Sequence, residues 1–137
     1  MMILRMLWIL IGVVALALAP AAAENRAAPA KGTPRLNVYF TKGFDDAAWQ
    51  RGAFDKVAKA WKASAPPAVG RKAVVIATIT RDGKLLDAKV STASGSEAWD
   101  LAALEAVRKA APYPPLPKSW ADSSVEAHFH FEFPAKG

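Results

Sequence analysis

The chain has 137 residues and no cysteine, and its 18 basic and 12 acidic residues give a formal net charge of +6. A chain of this length builds one small domain with a single core. Without cysteine, no disulfide supports the fold and no cysteine nucleophile is present. The charge is basic but mixed, and no base-stacking platform accompanies it, which argues against a nucleic-acid partner.

The first 23 residues have the pattern of an export leader. Arg5 is the only charged residue before an apolar run at 6–19, and Pro20 is followed by three alanines that form an A-x-A cleavage pattern. This order predicts a signal peptide that is cleaved after Ala23. An uncleaved inner-membrane anchor stays open as the alternative, because the 18 uncharged residues at 6–23 reach the lower limit for crossing a bilayer. In either case the remaining chain lies outside the cytoplasm, and membrane association is expected only if the leader is retained.

Residues 24–43 are expected to form a linker or lead-in to the domain. The segment at 24–35, ENRAAPAKGTPR, is polar and contains proline, as disordered segments do. Residues 36–41, LNVYFT, alternate enough for a short extra strand, but an extended lead-in fits equally well. The domain itself is placed at 44–134 and is followed by a tail at 135–137.

A helix is predicted over 44–63, where it ends before a pair of prolines. Phe54, Val57 and Trp61 recur at helical spacing and form the expected buried face, whereas Trp49 lies off this face. The opposite side carries cations, which fit either an ordinary solvated helix face or a surface for an acidic partner or anionic lipid. The residues of this possible basic surface are Arg51, Lys56, Lys59 and Lys62.

A β-hairpin is predicted at 73–92. Residues 73–80 are rich in β-branched and apolar residues, and Asp82-Gly83 is a dipeptide that favours a tight turn because it tolerates positive φ. Residues 85–92 alternate between apolar and polar, so this strand should have one buried face and one wet face. The first strand is apolar on both faces, and it is therefore expected in the middle of a sheet.

A second helix is predicted over 96–111. Ser94 and Glu97 have the spacing of a capping box at its start, and a proline-rich segment ends it. Its expected buried face comprises Leu101, Leu104 and Val107.

The last strand, predicted over 124–133, shows the clearest alternation of the chain. One face is apolar and must point at the core, and it comprises Val125, Ala127, Phe129, Phe131 and Phe133. The other face is polar and comprises Glu126, His128, His130 and Glu132. Its two imidazoles could share a divalent ion, but their spacing does not form a ready tetrahedral site, so no metal is predicted.

The block from the hairpin to the last strand resembles the C-terminal domain of the TonB/TolA family, whose members couple an inner-membrane motor to outer-membrane proteins. The resemblance is carried by the turn RDGK at 81–84, by Ser94-Gly95 ahead of the second helix, by the run at 100–107 and by the prolines after Ala111. It implies a periplasmic location and recognition of a segment of an envelope protein. It brings no catalytic residue and no cofactor.

These elements predict an α+β fold, a two-layer sandwich in which the helices pack on a three-stranded antiparallel sheet in the order helix-strand-strand-helix-strand. With 73–80 in the centre, the other two strands are edges. Charges at Asp87 and Lys89 discourage pairing at one edge, so 124–133 is the preferred docking edge, as in TonB-like complexes. The candidate partner-binding residues of this edge are Val125, Glu126, His128, His130 and Glu132.

The expected function is therefore that of an exported protein-interaction module, not an enzyme. Ser94, Asp100 and His128 make a triad numerically possible, but no nucleophile elbow or oxyanion motif accompanies them. Two alternatives stay open: a TonB-like energy transducer that keeps residues 1–23 as an anchor, and a periplasmic binder of a small ligand or metal. The lead-in argues against the transducer. Fully extended, it reaches only about 40 Å, whereas a motor-coupled transducer needs a long spacer to cross the periplasm.

Overall fold

The computed structural model describes residues 31–136. Within this range the elements are, in order, β1 (Arg35–Phe40), α1 (Ala47–Ala60), β2 (Lys72–Thr80), β3 (Leu85–Thr92), α2 (Glu97–Lys109) and β4 (Ser124–Glu132). The last three strands match their predicted bounds to within one residue, whereas both helices are shorter than predicted. The leader prediction for 1–23 and the start of the predicted lead-in, 24–30, lie outside the described residues. No helix in the described range is long and apolar enough to cross a membrane.

The strands form one antiparallel sheet in the order β1-β4-β2-β3. This confirms the predicted α+β fold with two helices and an antiparallel sheet, but the prediction of three strands is wrong. The additional strand is β1, for which the sequence left a strand and an extended lead-in open. Its alternation places Leu36 and Val38 opposite Phe131 and Phe129 of β4. This pairing turns the apolar side of β1 toward the core.

Both helices pack on one face of this sheet. The core between the layers joins Val57 of α1 and Val107 of α2 with Val75 of β2 and Phe129 of β4, all fully buried. The other face carries the polar residues of the strands. β2 lies between β4 and β3, as expected for the strand that is apolar on both faces.

The start of α1 is fixed by Asp46, whose carboxylate accepts a hydrogen bond from the Trp49 N–H at 2.8 Å. Trp49 is buried together with Ala53 and Val57, so the buried face of α1 is rotated from the predicted one. Trp61 is only half-buried, at the end of the helix. The Trp49 indole N–H donates to the Pro114 carbonyl at 2.7 Å, which ties α1 to the segment after α2.

The predicted capping box of α2 is wrong, because Ser96 and not Ser94 is its N-cap. The Ser96 hydroxyl accepts a hydrogen bond from the Trp99 N–H at 3.2 Å, while the Ser94 N–H donates to the Asp100 carboxylate at 3.0 Å. The predicted buried face is also rotated, since Leu101 is 59% exposed. The buried residues of α2 are Trp99, Ala103, Ala106 and Val107. The fully buried large side chain in the first turns of α2 is therefore that of Trp99 and not that of Leu101.

The predicted Asp82-Gly83 turn joins β2 to β3. Gly83 has a φ of +89°, and a Cβ at this position would collide with the Tyr113 carbonyl. The Tyr113 N–H donates to the Gly83 carbonyl at 2.8 Å. The segment after α2 therefore closes over the hairpin turn, which needs glycine for both conformation and space.

Candidate partner-binding site

The structure places β4 in the interior of the sheet. It pairs with β1 on one side and with β2 on the other, so the prediction that it forms a docking edge is wrong. Val125 is buried in the core, and the other predicted partner-binding residues lie on the open face of the sheet. Those residues are Glu126, His128, His130 and Glu132. Polar alternation marks a solvent-facing strand face, but it does not distinguish an interior strand from an edge strand. Contact of these residues with a partner stays a prediction.

Hydrogen bonds just beyond β4 show which way its backbone groups point. The Phe133 N–H donates to the Arg71 carbonyl at 3.0 Å on the β2 side, and the Thr33 N–H donates to the Pro134 carbonyl at 3.1 Å on the β1 side. Backbone groups alternate in direction along an antiparallel strand. The even-numbered residues of β4 therefore direct their N–H and C=O groups toward β1.

This alternation leaves an outward row of backbone groups on β1. The register pairs Asn37 with His130, so the odd-numbered residues of β1 make the hydrogen bonds to β4. The N–H and C=O groups of Leu36, Val38 and Phe40 then point away from β4. No other strand of residues 31–136 pairs with β1 on that side. Within residues 31–136, this outward row, which we call the β1 edge, has no paired strand.

A groove of about 540 Å³ lies beside the β1 edge, between β1 and α1. The side chains of Val38 and Phe54 are half-buried and supply its apolar surface. Polar and charged side chains from α1 complete the lining. The full lining is Val38, Ala47, Gln50, Arg51, Phe54 and Asp55.

The β3 edge, at the opposite end of the sheet, is less regular. The pairing of β3 with β2 shifts register twice, between Val74 and Val75 and between Thr78 and Ile79. The six pairs of β1 with β4 show no shift. Bulges and edge charges are the features by which natural sheets discourage strand addition.

A polar cluster holds β1 against β4 on the open sheet face. Arg35 donates to the Glu132 carboxylate at 2.8 Å, and the Asn37 amide donates to the same carboxylate at 3.2 Å. Burial alone would raise the pKa of Glu132, but these hydrogen bonds and the charge of Arg35 lower it overall. Glu132 is therefore ionised at neutral pH and ties two positions of β1 to β4.

The two histidines of β4 have different neighbours. His130 packs edge-on against Tyr39 of β1 with ring centroids 4.7 Å apart, while His128 lies 2.9 Å from the Glu126 carboxylate. Burial lowers the pKa of His130, and the charges of Lys72 and His128 lower it further. Among residues 31–136, no group of three or more His, Asp or Glu side chains is arranged to hold a metal ion.

The possible basic surface lies on the exposed side of α1. Arg51, Lys56, Lys59 and Lys62 are all exposed, and within the described range none of them has an acidic partner within 4 Å. Of the four, Arg51 also lines the groove beside the β1 edge. One residue of the possible basic surface, Arg51, therefore also lies beside the β1 edge.

The family of this chain follows from a comparison with family models. The model described as TonB C terminal matches residues 46–133, more than half of the chain. The chain therefore belongs to the TonB C-terminal family, as its resemblance implied. Comparison with curated proteins and with solved structures finds no match. The family match begins at Asp46, the N-cap of α1, so β1 and its edge lie outside the matched region.

Sequence reasoning missed the β1 edge, although a signal for it was present. Leu36, Val38 and Phe40 alternate with polar residues, which is the pattern of a strand with one buried face. The pattern does not name the strand with which β1 pairs, and that pairing decides which strand forms the edge.

Proposed function

We propose that this chain is an exported, periplasmic interaction module that binds an extended segment of an envelope protein by strand addition at the β1 edge. The observation that carries the proposal is the outward backbone row of Leu36, Val38 and Phe40 beside an open groove. Domains of this family are typically envelope-associated and interact with other envelope proteins. The role is binding without catalysis.

Strand addition suits this edge energetically. Each of the three outward residues offers one N–H donor and one C=O acceptor, and each hydrogen bond that a partner completes contributes about 0.5–1.5 kcal/mol net. Main-chain pairing supplies affinity for many sequences, while the alternate side chains of the partner face the groove and supply selectivity. The regular pairing of β1 with β4 presents these groups in line.

The direct test replaces the outward donor at Val38. Val38→Pro removes the N–H at the β1 edge without breaking a hydrogen bond to β4, and Val38→Ala is the matched control that keeps the N–H. We expect Val38→Pro to lose capture of an envelope protein, identified by mass spectrometry from envelope extract, and Val38→Ala to retain it. Circular dichroism checks the fold. Full capture by a folded Val38→Pro variant contradicts the proposal.

A second test distinguishes addition to β1 from replacement of β1. The chain has no cysteine, so Tyr39→Cys with His128→Cys introduces a single disulfide between register partners of β1 and β4. Hydrogen-bonded pairs have Cα atoms about 5.5 Å apart, within the range of a disulfide. We expect the oxidised variant to keep full capture. Loss on oxidation with recovery on reduction would mean that the partner displaces β1.

Export is tested by the mass and location of the mature chain. The alanine triplet after the apolar run favours cleavage after Ala23, so the periplasmic fraction should contain a chain that begins at Glu24. A full-length mass in the membrane fraction would instead support the anchored energy transducer. This outcome leaves strand addition at the β1 edge to be decided by the variants above.

A further inference from the structure

We propose that the groove between β1 and α1 selects partner segments with a large apolar residue opposite Val38 and one acidic residue two positions away, on the same face. This inference rests on the proposed strand addition at the β1 edge. It names the chemistry of the partner, which is an extended peptide with an apolar anchor and a single neighbouring carboxylate.

The position of the anchor follows from strand geometry. Directly opposite residues of paired strands share a face of the sheet. Val38 turns its side chain toward the helices, where it lines the groove with Phe54. A partner residue opposite Val38 therefore enters the groove, and its neighbours on either side face the open side of the sheet near Asn37 and Tyr39.

An apolar anchor is favoured by what the groove leaves uncovered. Val38 and Phe54 pack against the core, yet both remain half-buried. A large apolar side chain between them would remove more of this surface from water, and the gain in binding free energy rises with the apolar area that it buries. A polar side chain would lose hydrogen bonds to water there. Among the residues that line the groove, Gln50 is the one with an uncharged polar side chain to replace them.

The carboxylate is favoured by the charges of α1. Arg51 lines the groove, and within residues 31–136 no acidic side chain lies within 4 Å of its guanidinium. Groove-facing positions of an added strand repeat every two residues, about 6.5–7 Å. A carboxylate two positions from the anchor can therefore reach Arg51, and an arginine pairs with a carboxylate through two parallel hydrogen bonds.

A single carboxylate fits better than an acidic run. Asp55 follows Arg51 by four residues, so it lies about one helical turn further along the same side of α1. It lines the same groove and would repel a second acidic residue of the partner. Beside its apolar surface, the groove therefore has one positively charged side chain, Arg51, and one negatively charged side chain, Asp55.

The test is a selection from a phage library of random nine-residue peptides on the purified mature protein. We expect the parent to enrich peptides with an apolar residue and an acidic residue two positions apart. Arg51→Glu should enrich Lys or Arg at the acidic position and bind the parent's peptides about tenfold more weakly. Arg108→Glu is the matched control, because it makes the same Arg-to-Glu change at an exposed position of α2, outside the groove and outside the possible basic surface. It should keep the parent's selection.

The outcomes separate this inference from the proposed function. Enriched peptides that lose binding in Val38→Pro but not in Arg51→Glu would support strand addition and overturn the groove selectivity. Peptides that bind Val38→Pro as tightly as they bind the parent would overturn both strand addition and groove selectivity. A parent selection with no acidic preference, or the same preference in Arg51→Glu, also overturns the selectivity. Reversed charge preference in Arg51→Glu, with the parent's preference in Arg108→Glu, supports it.

Discussion

The two outer strands of the sheet, β1 and β3, meet solvent in different ways. β1 is a short strand of six residues in unbroken register with β4. Its Leu36 is 7% exposed, so the strand is held by the core. β3 is longer, but its register with β2 shifts twice and its Leu86 is 65% exposed. Regular pairing presents donors and acceptors in a line that an incoming strand can match, and bulges disturb that line.

The residues beside the β1 edge also differ from those at the β3 edge. Beside β1 lies the groove to α1, where Val38 and Phe54 offer an apolar surface. The open-face residues of β3, Asp87 and Lys89, are charged and exposed. A charged edge strand discourages pairing with another chain. The outer strand with the regular register and the adjacent groove, β1, therefore lies outside the residues that the family model matches.

The largest expected effect concerns the core beneath the β1–β4 pair. Phe131 is fully buried and lies opposite Leu36 in the register. Phe131→Ala should lower the free energy of unfolding by about 3–5 kcal/mol through lost burial and a residual cavity. Leu101→Ala is the control, because Leu101 is 59% exposed, and it should change stability by about 0.5 kcal/mol or less. Urea unfolding measures both, and equal losses would contradict the assigned helix and strand faces.

The next prediction compares the two edges directly. Leu36→Ala on β1 should cost about 2–3 kcal/mol, because the side chain is buried in the core. Leu86→Ala on β3 makes the same chemical change at an exposed position and should cost about 0.5 kcal/mol or less. Urea unfolding of the two variants gives the comparison. If Leu86→Ala costs as much as Leu36→Ala, β3 is anchored as firmly as β1 and the contrast between the edges fails.

Much of the fold could be predicted because its periodic signals are local. The alternation of β4 placed Phe129 and Phe131 in the core, and the Asp82-Gly83 turn set the hairpin. The helix faces were less accurate. Leucines at helical spacing suggested Leu101 as a core residue, but the larger Trp99 is the one that packs fully between the layers.

The site could not be predicted in the same way, because an edge is a property of pairing. Six residues at 36–41 carried an alternating pattern, and nothing in that pattern identifies β4 as the neighbour. Because β1 pairs with β4, the edge strand on this side of the sheet is β1 and not the predicted β4. The polar residues of β4, such as His128, then face solvent because the helices cover the other side of the sheet.

A smaller effect is expected at the turns that follow β1 and precede β3. Gly43 and Gly83 both have positive φ, +72° and +89°, but only Gly83 has a backbone carbonyl where a Cβ would stand. Gly83→Ala should cost about 1–3 kcal/mol through strain and collision, and Gly43→Ala about 1 kcal/mol through conformation alone. Thermal unfolding compares the two. A smaller loss at Gly83 than at Gly43 would mean that the segment after α2 moves away without cost.

The smallest expected effect is a pH dependence at the β1–β4 junction. Burial lowers the pKa of His130 below its ordinary value of 6.5, as do the charges of Lys72 and His128, against the opposite effect of Glu132. The unfolded chain therefore binds this proton more readily than the folded chain. Stability should consequently fall as the pH drops through 6.5, the histidine value of the unfolded chain.

Glu132 extends the same trend to lower pH. Its lowered pKa contributes stability above the ordinary value of 4.5, and this contribution is lost as the pH falls further through the folded value. Between about pH 7.5 and 5.5 Glu132 stays ionised because its pKa is lowered, so the expected loss of stability in this range is that of His130 protonation. The urea midpoint should therefore be lower at the acidic end, and His130→Asn should reduce the difference, whereas Leu86→Ala on β3 should preserve it. A midpoint that rises on acidification, or an unchanged dependence in His130→Asn, would assign the titration to groups away from the junction.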